Sequence, residues 1–190
     1  MYRSATPAKV RILHAFPKSP IYDINVNYQP VMQKIAFKQC SEFISLPPGQ
    51  YRFDVMEGVK TALSAIVPIH NGMSYLLIIT GKSTPRILQY TEDTFLPFGQ
   101  AKIRLGHLSS DAPPVDLFLK TGEPLFSNVA FTELTAYLQV SPGIADFEVR
   151  ALDSEKVLLT SPRLHIEANR VYTFYIVDFL SKLELLYVTN

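Results

Sequence analysis

Cysteine is almost absent from this chain. One residue, Cys40, stands in 190, which excludes an intramolecular disulfide framework and leaves no thiolate pair for a metal site. An excess of charge of one sign is also lacking: 18 Lys and Arg face 17 Asp and Glu, for a net charge of +1. No run of like charges occurs, so the basic footprint of a nucleic-acid binder is missing and no nucleic-acid partner is expected. Long hydrophobic runs are missing too. The strongly apolar stretches Tyr75 to Ile79 and Tyr172 to Val177 fall far short of the roughly 20 residues that span a bilayer as a helix, so no transmembrane segment is expected. The opening Met-Tyr-Arg-Ser-Ala-Thr-Pro-Ala-Lys has no apolar core of a secretory signal, which makes the cytoplasm the default location of the sequence as it stands.

What is present is a 47% apolar composition, enough for a real core held by packing, and a repeat. Ala8-Lys-Val-Arg-Ile-Leu-His14 is echoed by Ala101-Lys-Ile-Arg-Leu-Gly-His107, 93 residues later. The same offset carries Pro20 onto Pro113 and Asp23 onto Asp116. One inserted residue then brings Ala36-Phe37 onto Ala130-Phe131 and Pro48-Gly49 onto Pro142-Gly143, and Tyr75 finally matches Tyr172 at an offset of 97. Solenoid repeats run about 20 to 50 residues and need neighbours to bury their faces. A unit of roughly 90 residues can close its own core, so the chain reads as an N-terminal extension (1–7), a first repeat (8–91), an apolar joining segment (92–100) and a second repeat (101–190). The joining segment carries Phe95, Leu96 and Phe98; a free linker is polar and Gly/Ser-rich, so this one is expected to pack and to bring the repeats into contact.

Within each repeat the hydrophobic period is two, the mark of a half-buried strand. Val10, Ile12 and His14 share one side of a strand, with Lys9 and Arg11 on the other; Tyr22, Ile24 and Val26 alternate with Asp23, Asn25 and Asn27. Pro and Gly punctuate the runs, and Pro48-Gly49 and Pro142-Gly143 predict type II turns, in which Gly takes the positive φ. With about seven short strands per repeat and no helical period, the expected fold is all-β: two tandem antiparallel immunoglobulin-like sandwiches. Each inward Val, Leu, Ile or Phe contributes about 1.5–3 kcal/mol. Short helical turns near Phe37 and Phe131 are compatible with this pattern.

The stretch His107-Leu-Ser-Ser-Asp-Ala-Pro-Pro-Val-Asp116, followed by Phe126-Ser-Asn-Val-Ala-Phe131 and Ser141-Pro-Gly143, resembles the bacterial domain-of-unknown-function 4397 family. The resemblance covers nearly the whole chain. It implies an immunoglobulin-like β fold, commonly in tandem, and a cell-envelope setting, and it brings no established activity. The first repeat departs from the motif, with Lys18 where the second has Asp111, so a charge-dependent site common to both is not implied.

Several residues invite chemistry. His14 and His107 recur at one place, each with an Asp nine residues on, Asp23 and Asp116. One reading makes His107 and Asp116 a general-base pair of a hydrolase. The other has each His satisfying loop backbone and each Asp capping turn amides. Strand parity favours the second, because His14 and Asp23 lie on opposite parities. Ser109 and Ser110 have no nucleophile elbow, and His14, His70, His107 and His165 are too scattered for a metal site. No cofactor is expected. Cys40 aligns with Leu134 and reads as a buried, inert thiol. Phe43, Phe118, Tyr137 and Tyr175 fall on outward parities and suggest an aromatic surface, or else a surface covered within the fold. The sequence therefore reads as a binding or structural module for a protein or carbohydrate partner, with the hydrolase as the alternative.

Overall fold

The computed structural model describes residues 6–93, 95 and 98–189. It divides into two compact units, 1–93 and 94–190. The first holds strands β1 (Ala8–His14), β2 (Tyr22–Val26), β3 (Gln29–Ile35), β4 (Ile44–Leu46), β5 (Gly49–Glu57), β6 (Lys60–Ile69), β7 (Ser74–Thr80) and β8 (Arg86–Thr91). They form two four-stranded sheets, ordered β4-β1-β7-β8 and β3-β2-β5-β6. The inward residues of both sheets, including Val10 and Ile12, Ile24, Phe53, Val55, Leu77 and Ile79, meet in one core. The period-two pattern produces this directly, since alternate side chains of a strand leave the sheet on opposite sides.

The second unit repeats the plan with β9 (Ala101–His107), β10 (Val115–Leu119), β11 (Pro124–Val129), β12 (Leu138–Val140), β13 (Gly143–Ala145), β14 (Phe147–Ala151), β15 (Val157–Thr160), β16 (Leu164–Ile166), β17 (Arg170–Val177) and β18 (Glu184–Thr189). Its sheets are β12-β9-β17-β18 and β11-β10-β14-β15, with β13-β16 as a separate pair. The long β5–β6 ladder of the first unit is thus cut in two. Pro162, which has no amide to donate, falls in the gap between β15 and β16, and the ladder stops there.

Two expectations are corrected, on strand direction and on the Pro-Gly turns. The sheets are not wholly antiparallel: β1 runs parallel to β7, and β9 parallel to β17. The central β7 is buried on both faces, the environment in which parallel strands occur, and period two is blind to strand direction. Gly49 and Gly143 do not take positive φ but open strands β5 and β13, whereas Gly72 does at 66°. Arg11, on the parity opposite to Val10 and Ile12, is buried; it forms a two-pronged ion pair with Glu92, at 2.9 and 2.5 Å, which satisfies its charge. The joining segment shows exposed rings at Phe95 and Phe98. The Lys102 ammonium stands 5.0 Å from the Phe95 ring centroid, while Leu96, with Thr94 and Pro97, lies outside the described residues.

At Phe37 and Phe131 the chain makes turns, and the described helical structure is one 3-10 turn at Leu180–Lys182. Among the described residues no helix is long and apolar enough to cross a membrane.

Candidate functional site

Both repeated histidines end a strand and are fully buried. The His14 ring accepts the Phe16 amide at Nδ1 (3.3 Å), which leaves the proton on Nε2. That proton is shared by Ser19 Oγ (2.9 Å) and the Pro20 carbonyl (3.3 Å), the Ser19 hydroxyl itself donating to the Phe16 carbonyl. His107 repeats this, accepting the Ser109 amide at 3.3 Å and donating to the Pro113 carbonyl at 2.9 Å. Burial lowers the pKa of both imidazoles below 6.5, the bonds to Pro20 and Pro113 offsetting part of the effect. Their backbones anchor a second loop, the carbonyls of His14 and His107 accepting the amides of Lys38 and Thr132 at 2.7 Å. Lys38 and Thr132 sit at φ of 71° and 74°, a conformation that needs such support in a residue with a side chain.

The carboxylates point elsewhere. Asp23 accepts the amide of Lys34 and Asp116 that of Asn128, each at 2.7 Å. The capped residues again have positive φ, 58° and 55°. Their strands shift register against β2 and β10, so each Asp holds a bulge. Asp111 accepts the Leu180 amide (2.8 Å) and the Ser109 hydroxyl (3.3 Å), tying the motif loop to the 3-10 turn. His107 and Asp116 are therefore each engaged with backbone, and the imidazole is fully buried.

The remaining candidates disperse. Ser109 is buried with its hydroxyl on Asp111, and Ser110 follows it in the loop. His70 bonds the Tyr75 hydroxyl at 2.9 Å; His165 lies on β16 against Ile144 of β13. Among the described residues no three His, Cys, Asp or Glu side chains gather as metal ligands. Cys40 is half-buried and bridges Leu13 as Leu134 bridges Gly106; burial pushes its thiol up to about 11.

Three of the four outward aromatics carry an arginine. Guanidinium carbons lie 4.8 Å from the Phe43 centroid (Arg11), 4.3 Å from Tyr137 (Arg104) and 4.4 Å from Phe118 (Arg150). Tyr175, by contrast, is fully buried and does not belong to an accessible surface; its strand, like β7, is enclosed on both sides. Sequence parity missed Tyr28, which is 69% exposed beneath the Arg52 guanidinium at 4.8 Å, with Ile66, 64% exposed, paired across from Arg52. Tyr28 sits at a turn, where alternation gives no signal.

Also unsignalled by motif is a cleft of about 510 Å³ in the second unit. Its walls include Ile103, Leu138 and Val140 from one sheet, Leu119 and Phe147 from the other, and Ile166 from the β13-β16 pair, with Glu123, Gln139 and Ser141 among the polar residues of the lining.

These features define a tandem, two-sheet β protein whose repeated polar residues brace loops. The chain belongs to the family described as Domain of unknown function (DUF4397), whose profile matches residues 8–118 and 111–190. The first match runs past the boundary of the first compact unit, so profile and structure divide the chain differently. No curated protein matches the sequence. Among solved structures, the chain is similar to one described as the Bacillus anthracis TIE protein, with 11% identity and a TM-score of 0.31. That match covers 92% of this chain and 34% of the other, so the chain spans about a third of that protein's length.

Proposed function

We propose that the chain is a non-enzymatic binding module of the cell envelope, an immunoglobulin-like pair of sandwiches that presents an arginine-stacked aromatic face to a protein or carbohydrate partner. The observation that carries this reading is where the repeated polar residues spend their hydrogen bonds. His14, His107, Asp23 and Asp116 all serve loop or bulge backbone, which leaves the hydrolase alternative without a poised base. Such bracing makes rigid loops and sheets, and rigid surfaces bind with little ordering cost.

The face offered is the outer side of the second sheet in each unit. Tyr28, Arg52 and Ile66 lie there in the first unit; Phe118, Arg150 and Val157 lie there in the second. A guanidinium over an aromatic ring gives a flat amphipathic platform with donors at its edge. The cell-envelope location is taken from what the resemblance of the sequence implies.

The test is a glycan array and an envelope-protein capture assay with the whole chain and with Tyr28→Ala and Phe118→Ala. Capture that weakens at least tenfold in either variant is expected. Equal capture by all three proteins, or hydrolytic turnover abolished by His107→Gln in a folded chain, would overturn the reading.

A further inference from the structure

We propose that the cleft of the second unit receives a tyrosine side chain presented by another polypeptide, the ring entering where the first unit seats a tyrosine of its own. The inference takes from the binding-module reading the idea that a protein is the partner, and adds a second, separate site.

The two repeats supply template and vacancy. At the offset of 94 that relates Phe53 to Phe147 and Val55 to Val149, Tyr51 corresponds to Ala145. Tyr51 lies on the inward parity of β5 and packs against the core of its unit. Its ring touches Gly49, where an added Cβ would meet Tyr51 Cε2 at 3.4 Å. At Gly143, the counterpart of Gly49, an added Cβ would meet nothing within 4 Å. The space filled by a phenol ring in one repeat is open in the other, and Gly143 and Ala145 both line the cleft.

The polar end of the ring has a counterpart as well. The Tyr51 hydroxyl donates to the Pro47 carbonyl at 2.9 Å. Ser141, at the same offset from Pro47, lines the cleft, so the acceptor for an incoming hydroxyl is assigned to its carbonyl by correspondence with Pro47. An acceptor carbonyl takes a neutral phenol. Glu123, also on the lining, repels a phosphorylated or sulfated ring. At the mouth, Ile144 is 68% exposed although it lies on a strand, and it offers the apolar rim that the stem of the guest would cross. The cleft is bounded by β12, an edge strand of its sheet, so a polypeptide can approach it from outside the sandwich.

The experiment is a titration of the isotope-labelled full chain with N-acetyl-tyrosinamide, followed by amide NMR shifts. Saturable shifts at 138–147 are expected, with N-acetyl-phenylalaninamide about threefold to tenfold weaker for want of the hydroxyl bond and N-acetyl-phosphotyrosinamide giving none. Ala145→Tyr, which supplies the ring internally, should remove the shifts. If that variant does not fold, Ala145→Leu should weaken them at least tenfold. Tyr51→Ala should open a matching site, with new shifts at 44–53. No saturable shifts in the folded wild-type chain, undiminished binding in the filled variants, or equal binding of the phenylalanine probe would overturn the proposal. None of these outcomes depends on Tyr28 or Phe118, so the cleft and the aromatic face fail separately.

Discussion

At the scale of single residues, the repeated histidines act as buried posts, and their burial makes stability depend on pH. Each imidazole has a lowered pKa in the folded chain, so below 6.5 the unfolded chain binds protons that the folded chain refuses. Stability is complete above that value and falls as pH drops towards the folded pKa values. Urea unfolding between pH 5 and 7 should show this slope, and His14→Gln with His107→Gln should flatten it. Gly106 is a second such point. A Cβ there would lie 2.8 Å from both Leu134 Cδ1 and Tyr175 Cδ1, and Tyr175 is fully buried. Gly106→Ala is therefore expected to destabilise by about 1–3 kcal/mol through overpacking, read as a lower denaturation midpoint. The first repeat has Leu13 at this place, so the glycine answers a local crowding peculiar to the second.

At the scale of elements, the bulges of β3 and β11 depend on one carboxylate each. Asp23→Ala or Asp116→Ala should cost about 1–3 kcal/mol, the value of an amide hydrogen bond to a charged acceptor, with amide exchange at Lys34 or Asn128 quickened. The strands themselves were legible in the sequence, because alternation such as Tyr22, Ile24, Val26 against Asp23, Asn25, Asn27 admits one extended reading. The separation of His from Asp was legible for the same reason, since opposite parity parts the pair; that each Asp caps a bulge amide of the neighbouring strand, Lys34 or Asn128, and not the Pro-rich turn, was not. Direction and continuity were not. A parallel β1–β7 pairing and an antiparallel one need the same alternation, and the interruption at Pro162 shows as one proline among 14. Tyr51 against Ala145 was visible in the alignment of the repeats, but a missing ring has no motif. Tyr175 misled because outward parity implies exposure only for a sheet with one free face.

At the scale of the whole molecule, the near balance of charge has a direct consequence. With a net charge of +1 and no basic run, the chain should pass through a heparin column at about 0.15 M salt without retention, at which ionic strength the Debye length is about 8 Å; firm retention would point to a basic face that composition conceals. The parallel pairing reaches further. In each unit the opening strand is completed by one that follows more than 50 residues later, and the two opening strands, Ala8-Lys-Val-Arg-Ile-Leu-His14 and Ala101-Lys-Ile-Arg-Leu-Gly-His107, are near copies. A ribosome emits β1 and β7 before β9 exists, so the first unit can mate with its own strand unchallenged. A chain diluted from denaturant has every copy at hand at once, and β9 becomes a counterfeit for β1. Refolding in the test tube should therefore yield more strand-exchanged, aggregating species than synthesis does, a hazard imposed by writing one sandwich twice in the same thread.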